Sequence, residues 1–286
     1  MTLSILTYNT ALLDVRIFNR SVYCPLDSVY QRAPMIARAL LSLRPDIICL
    51  QEIFHHQLQT LIATQLGHEF PHLTGFTRPG LKARLGNELL TLSRFPISGV
   101  RLVRFTHAPM EEKVFTSKGF YHCVVEIPVL GNIDLINFHT TAGGANTHPE
   151  HDRMEAIREN QINQILAYCS QLPGVILAGD LNAGPHTSIR NYEQVLQSGF
   201  IDAFATVKAE GFSWDPANPL VANGRESHLP AQRIDHIFIS NSLSGSLRPV
   251  AAHIVLTGED DITSGTSPLS DHYGVRVEFQ ILNNSN

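Results

Sequence analysis

The stretch Val175-Ile176-Leu177-Ala178-Gly179-Asp180-Leu181-Asn182 decides how the rest of the chain is read. Its leading apolar residues have the length and β-branched content of a buried strand, and the run ends in a carboxylate and an amide two residues apart. In extended backbone, residues i and i+2 point the same way. Asp180 and Asn182 can therefore present one anionic and one neutral oxygen, or an acceptor and a donor, to the same small target. Gly179 lets a second backbone or a ligand come close, and Gly184-Pro185 turns the chain away. Taken alone, this segment is equally well a strand-end turn that favours Asp and Asn. The other strand ends decide between the two.

Upstream of this strand a helix is expected from about Asp152 to Gln171, with Met154, Ile157, Ile162, Ile165, Leu166 and Cys169 at helical spacing, ended by Leu172-Pro173-Gly174. The same order of helix, proline turn, apolar strand and acid occurs earlier. A helix from about Tyr30 to Leu43 carries Met35, Ile36, Ala39, Leu40 and Leu43 on one face, Arg44-Pro45-Asp46 stops it, and Ile47-Ile48-Cys49-Leu50 leads to Glu52. Two such halves can pack sheet on sheet with helices outside, which brings strand ends from both to one edge.

Leu3 to Tyr8 reads as the first strand and places Asn9 at its end. Between the modules, Asn87 to Ser93, Gly99 to Thr106, Gly119 to Ile127 and Ile133 to His139 suit an antiparallel sheet. His139 opens the loop Thr140-Thr141-Ala142-Gly143-Gly144, where a histidine is expected to be exposed rather than packed. After Asp180 come a helix near Ser188 to Gln197 and a long loop through Trp214, Asp215, Pro216, Asn218 and Pro219, of the length that is often functional. Strands Arg233 to Ser240, Ser246 to Leu256 and Tyr273 to Ile281 follow. No linker interrupts the chain, so residues 1–286 are expected to form one α/β domain.

Composition narrows the classes. Of the 286 residues, 43% are hydrophobic and 16% charged, ordinary values for a globular chain with a sizeable core. A formal charge of −5 argues against a broad electrostatic grip on nucleic acid. The four cysteines are far apart, three of them in apolar runs, and are expected to be reduced. No apolar stretch is long enough to span a bilayer, and no cleavable signal segment precedes the first strand, so a cytoplasmic location is the expectation, with signal-independent secretion left open.

The polar residues at strand ends are Asn9, Glu52, His139, Asp180, Asn182, Asp235, Asp271 and His272. Each has an ordinary reading: Asp235 could pair with Arg233, Asp271 could cap a turn, and either histidine could be a satisfied core residue. Together they do not. Carboxylates and an amide gathered at one sheet edge repel one another unless a divalent cation occupies the space, and oxygen-rich ligands favour magnesium, manganese or calcium over zinc.

The series TYN, QE, NFH, GDLN, RIDH and SDH, in this order and over nearly the whole chain, resembles the endonuclease/exonuclease/phosphatase superfamily of metal-dependent phosphoesterases. The resemblance implies a deoxyribonuclease I-like fold, a four-layered α/β sandwich of two packed mixed sheets flanked by helices, with the site at one sheet edge. The stretches NELLTLSRFPI, SKGF and SGTSPLSDH, with WDPANP before RIDH, are most similar to neutral sphingomyelinases and related phospholipase C-type enzymes. Carried over by motif, it makes Glu52 the principal magnesium ligand with Asn9 and Asp271 nearby. Asp180 and Asn182 would hold the attacking water and phosphate or a second metal. His272, itself within reach of the metal, would be the general base oriented by Asp235, and His139 the acid or oxyanion stabiliser. Such roles make chemical sense, because an anionic phosphodiester needs charge neutralised while one group takes a proton from water and another assists the leaving oxygen.

Two features depart from the sphingomyelinase pattern. Glu88 stands where those enzymes carry a small residue and is similar to the carboxylate that orients a catalytic histidine in deoxyribonuclease I, which would pair it with His139; a strand-edge glutamate is the equal alternative. The stretch HIVLTGEDDITSGTS is acidic and lacks the aromatic residues of a membrane-contacting hairpin, so stable membrane insertion is not expected. Lys118 reads as a phosphate contact or a solvated strand-end lysine, and Trp214 as a further substrate contact. The expectation is a monomeric magnesium-dependent phosphoric diester hydrolase, with manganese as substitute metal. Its substrate would be a phospholipid headgroup or other small organic phosphodiester. A nuclease with the same chemistry is the alternative, and a non-catalytic binding module on the same fold stands behind both.

Overall fold

The computed structural model describes residues 1–17, 20–26, 28–74, 87–143, 151–222, 226–258 and 268–282. Strand β1 (Thr2–Asn9) is followed by a short ribbon, β2 (Val15–Ile17) and β3 (Arg20–Tyr23), then α1 (Val29–Leu43), β4 (Ile47–Gln51), α2 (His56–Leu66), β5 (His72–Leu73), β6 (Leu90–Ser93) and β7 (Ile97–Arg104). Next come α3 (Met110–Phe115), β8 (Gly119–Ile127), β9 (Gly131–His139), α4 (His151–Cys169), β10 (Val175–Asp180), α5 (Ile189–Gln197), β11 (Phe200–Asp202) and α6 (Ala203–Val207). Strands β12 (Asp235–Ser240), β13 (Leu247–Val255) and β14 (Gly274–Ile281) complete the order.

Two six-stranded sheets result, one ordered β13-β14-β1-β4-β6-β5 and the other β11-β12-β10-β9-β8-β7. Each is antiparallel except at its centre, where β1 runs parallel to β4 and β9 parallel to β10. A parallel pair needs a crossover, and α1 and α4 supply it, so the helix, turn, strand and acid module does occur twice. Helices α1 and α2 cover the outer face of the first sheet, and α4 and α5 that of the second. The architecture is a four-layered α/β sandwich.

Because both faces of the central strands are covered, they read as nearly continuous apolar runs, and parity alone assigns each residue to a face. In β1, Leu3 and Ile5 enter the layer between the sheets while Leu6 and Tyr8 meet the helices. The inner parity then continues from apolar to polar: Leu3-Ile5-Thr7-Asn9, Ile47-Cys49-Gln51, Ile133-Leu135-Asn137-His139 and Ile176-Ala178-Asp180. One end of the inter-sheet layer is therefore a hydrocarbon core and the other is lined with amides, imidazole and carboxylate.

Amides make the change of polarity tolerable. Gln51 Nε2 donates to Asn137 Oδ1 across the sheets at 2.9 Å and to Thr7 Oγ1 at 3.1 Å. Asn137 Nδ2 is shared among Leu50 O, Leu90 O and Thr91 Oγ1, each at 3.2 Å. Helix α2 was not among the expected elements, although Leu58, Ile62 and Leu66 recur at helical spacing; α3, α6 and β11 are too short for a period to show. Asn137→Ala is expected to lower unfolding free energy by roughly 1–3 kcal/mol, the cost of buried acceptors left without a donor. Urea unfolding measures it, and a loss below about 0.5 kcal/mol would show that the amides do not join the sheets.

Candidate active site

The two parallel pairs end level, Asn9 opposite Gln51 and Asp180 opposite His139. Glu52 follows its strand with φ +62° and Asn182 follows with φ +50°, left-handed conformations that cost a non-glycine residue on the order of 1 kcal/mol. Neighbouring backbone holds both. Leu12 N donates to Glu52 O at 3.1 Å and Ile53 N to Glu88 O at 2.9 Å, while Asn182 N donates to Asp180 Oδ1 at 2.8 Å and Leu181 N to Ile234 O at 2.8 Å. The strained turns swing Glu52 and Asn182 toward the shared edge of the sheets.

Asp180 lies at the centre of the cluster. Its Oδ2 accepts from Asn9 Nδ2 at 3.0 Å and lies 3.5 Å from His139 Nε2 and 3.9 Å from His272 Nε2. Asn9 Nδ2 also donates to Glu52 Oε1 at 3.1 Å, linking a carboxylate of each sheet. His272 Nδ1 meets Asp235 Oδ2 at 2.8 Å, and His139 Nδ1 meets Glu88 Oε1 at 3.0 Å. Each imidazole thus has a carboxylate behind Nδ1 and turns Nε2 toward Asp180. Lys118 Nζ lies 3.3 Å from His139 Nε2, 3.3 Å from Glu112 Oε1 and 4.0 Å from Glu88 Oε1, and donates to Thr140 O at 3.3 Å.

Burial alone would raise the Asp180 pKa, but His139, His272 and the hydrogen bonds from Asn9 and Asn182 hold it below the ordinary carboxylate range. The opposite holds at Glu52, where burial, seconded by the charges of Asp271 and Glu88, pushes the carboxyl up. Burial opposes a charge on His272, yet Asp235, Asp180 and Asp271 together raise its pKa well above that of a free imidazole. His139 is raised too, with Glu88 and Asp180 outweighing burial and the repulsion of Lys118.

The structure brings together Asn9, Glu52, Glu88, Lys118, His139, Asp180, Asn182, Asp235 and His272, with Asp271 close enough for its charge to act on Glu52. Three placements differ from expectation. His139 is 1% exposed rather than open to solvent, because Glu88 and Lys118 enclose it at the end of β9. Trp214 is buried with Val221 and Ile234 in a small core of its own, and it is its backbone, not its indole, that pairs with His272. Asn9 turns its Oδ1 to Ala11 N at 3.1 Å, so as placed it offers the cleft a donor instead of the oxygen ligand expected of it. The ordinary reading of Asp235 fails as well: Arg233 pairs with Asp202, 2.5 Å away. Residues 259–267, within the acidic stretch expected to lack membrane contact, lie outside the described residues.

Sequence reasoning passed over two buried arginines. Arg32 on α1 donates to Thr10 O at 3.1 Å, Ala11 O at 2.5 Å and Leu269 O at 2.7 Å. Arg158 on α4 donates to Thr141 O, Gly143 O, Ser188 Oγ and Asn191 Oδ1. Each helix of the repeated module thus ties down the loop after its own first strand. An arginine among the apolar residues of a helix face was the available signal.

Over residues 6–272 the chain matches the family described as Endonuclease/Exonuclease/phosphatase. The chain belongs to that family. Among solved structures, sphingomyelinase C from Streptomyces griseocarneus is 21% identical with a TM-score of 0.73, over 97% of this chain and 99% of that one. A doubly substituted beta toxin from Staphylococcus aureus, with bound magnesium ions, is 17% identical with a TM-score of 0.76, over 97% and 99%. A humanized D. rerio TDP2 is 17% identical with a TM-score of 0.70, over 98% and 99%. Such likenesses carry the fold alone. No curated protein matches the chain in sequence.

The donor set suits a hard divalent cation. Among the described residues Glu52 and Asp271 have no cationic side chain within ion-pair distance, and the charge of Asp271 helps to push the Glu52 carboxyl up, so a cation beside them would relieve Glu52. Asp180, Asp235 and His272 also place one ligand atom each within 4.8 Å of the others, a geometry that serves a cation or a shared proton.

Since the folded-state pKa of His272 is raised, the Asp235 contact stabilises the fold fully below the unfolded value of about 6.5, and that contribution is lost as pH rises through the folded value. In EDTA, the His272 ring is expected by NMR to titrate above about 6.5, and Asp235→Asn is expected to bring the midpoint down. A ring that titrates below about 6.5 in the wild type would contradict the pairing.

Proposed function

We propose that the protein is a divalent-metal-dependent phosphodiesterase acting on a small organic phosphodiester, phospholipid headgroups included. The supporting observation is the Asp180 carboxylate flanked by two imidazole Nε2 atoms at 3.5 and 3.9 Å, each imidazole backed by its own carboxylate. In-line displacement at phosphorus needs one proton taken from water and one delivered to the leaving oxygen, and two imidazoles whose Nε2 atoms both approach one carboxylate oxygen supply a group for each. His272 would take the proton from water, with Asp235 fixing its tautomer and stabilising the imidazolium. His139, whose pKa is raised, would carry the proton for the leaving oxygen. Lys118 would contact a phosphoryl oxygen beside His139, and Asn182 would orient the phosphate or a metal ligand.

Glu52 and Asp271, with Asp180 and Asn182 across the cleft, would hold magnesium or manganese, which supplies charge neutralisation of the phosphate when bound. A second reading keeps these roles and substitutes a nucleic-acid phosphodiester. The Glu88–His139 contact favours it, through the resemblance to deoxyribonuclease I, and the net charge of −5 opposes it.

Bis(p-nitrophenyl) phosphate is expected to be hydrolysed with added magnesium or manganese and not in EDTA, and metal-independent turnover would overturn the reading. His272→Ala should lower kcat about a hundredfold or more at saturating metal, whereas Glu52→Gln should first raise the metal requirement. Parallel assays of sphingomyelin, other phospholipids, plasmid DNA and RNA at one salt concentration decide the substrate class. Cleavage confined to the nucleic acids would replace the first reading with the second.

A further inference from the structure

The sequence Arg233-Ile234-Asp235-His236 carries a second histidine beside the carboxylate of the base pair, on the opposite face of β12. His236 is wholly buried. Its Nε2 lies 2.9 Å from Ala183 O, the carbonyl of the residue that follows Asn182. On its other side Nδ1 lies 2.9 Å from Arg233 Nη1 and 3.3 Å from Asp202 Oδ2. Arg233 Nη1 in turn donates to Asp202 Oδ2 at 2.5 Å, and Tyr192 Oη donates to the same oxygen at 2.8 Å.

These contacts fix where one hydrogen of His236 must lie. A carbonyl only accepts, so Nε2 must carry a hydrogen; Nδ1 faces both a donor, Arg233 Nη1, and an acceptor, Asp202 Oδ2, and whichever it serves, the Nε2–H remains. Asp202, Arg233, His236 and Ala183 are thus joined in one hydrogen-bonded series that ends on the Ala183 carbonyl. Asp202 stays ionised to close it: burial works against the charge, but the contacts with His236 and Arg233 hold its pKa far below the ordinary range. Phe238 stacks on the ring at 5.0 Å and Tyr192 lies at 5.2 Å, so the imidazole has no room to turn over.

The far end of the chain matters for the site. Asn182 holds a left-handed backbone, φ +50°, with its N bonded to Asp180 Oδ1 and its Nδ2 to Thr140 O at 3.2 Å. Because Nδ2 faces a carbonyl, the amide oxygen is the atom left for a ligand. The Ala183–Gly184 peptide that follows is held by the His236 bond to Ala183 O and by a backbone so close that a Cβ on Gly184 would collide with Arg233 O. We propose that His236, held by Arg233 and Asp202 with its Nε2–H on Ala183 O, is the positioning residue for Asn182. The kinetic consequence rests on the phosphodiesterase reading; the structural one does not.

Two substitutions divide the chain at different links. His236→Asn keeps an acceptor where Nδ1 stands but is too short to reach Ala183, whereas His236→Gln keeps a donor where Nε2 stands. The side-chain amide resonance of Asn182, assigned through Asn182→Asp, is expected to shift in His236→Asn and to stay near its wild-type position in His236→Gln. With bis(p-nitrophenyl) phosphate and saturating magnesium, His236→Asn should lower kcat roughly ten- to hundredfold, His236→Gln much less, and Asn182→Ala should be little worsened by adding His236→Asn. A generally weakened fold would affect both His236 variants alike. Equal effects of the two variants, an unmoved Asn182 resonance in His236→Asn, or additive kinetic losses each overturn the assignment. If the wild type hydrolyses no phosphodiester, the proposed function falls and the resonance comparison still decides the role of His236.

Discussion

Side-chain amides between the two sheets govern the carboxylate end of this molecule. Hydrocarbon packing between sheets is non-directional, and by itself would let one sheet slide on the other by fractions of a side chain. Asn137 and Gln51 remove that freedom, because each bonds the other and one of them bonds carbonyls of β4 and β6. Further along, at the strand ends, Asn9 does the same for the charged groups, holding Glu52 of one sheet and Asp180 of the other on a single nitrogen. The relative position of groups far apart in sequence is thus set by short, saturable bonds made just beneath them, where small shifts would already break contacts.

Electrostatics is the second constraint. Glu52, Glu88, Asp180 and Asp235 are gathered with little solvent to screen them, and the protein answers with Lys118, His139 and His272 placed between them. The balance is uneven. Glu88, Asp180 and Asp235 have cationic partners at contact distance, while Glu52 depends on an amide hydrogen. The imbalance falls at Glu52, whose carboxyl is pushed up by burial and by the charges of Asp271 and Glu88, and which is less buried than Glu88, Asp180 and Asp235.

Much of the arrangement was legible in the sequence. Apolar runs ending in acids after proline turns located β4 and β10; the extended parity expected from Asp180 to Asn182 stops at Asp180, and Asn182 follows in a left-handed backbone instead. Motif order then tied Asp235 to His272, partners 37 residues apart. What remained hidden depends on three dimensions. No local pattern distinguishes Asn137, one more polar residue in a strand, from a solvent-facing one; the pairing of Glu88 with His139 came through the resemblance to deoxyribonuclease I, and the structure places the two 3.0 Å apart. Trp214 illustrates the opposite error: an aromatic in a long polar loop looks like a binding residue, but the loop needs its own small core to hold the backbone that flanks His272. His236 was overshadowed by its neighbour, since adjacent residues on a strand face opposite ways and only one of the two can enter the site.

The register of β1 against β14 has a consequence for what may be joined to this protein. Thr2 pairs with Gln280, and Ile281 N donates to Met1 O, so both described ends of the chain leave the first sheet at the same place. Asn9, at the other end of the eight-residue β1, marks the cleft. At about 3.3 Å per residue this puts roughly 25 Å of sheet between the cleft and both exits. A tag, a surface linkage or a neighbouring module attached at either exit would hang from the base of the sandwich. The polar end of the inter-sheet layer, where Asn9 lies, is at the opposite edge of the sheet from both exits.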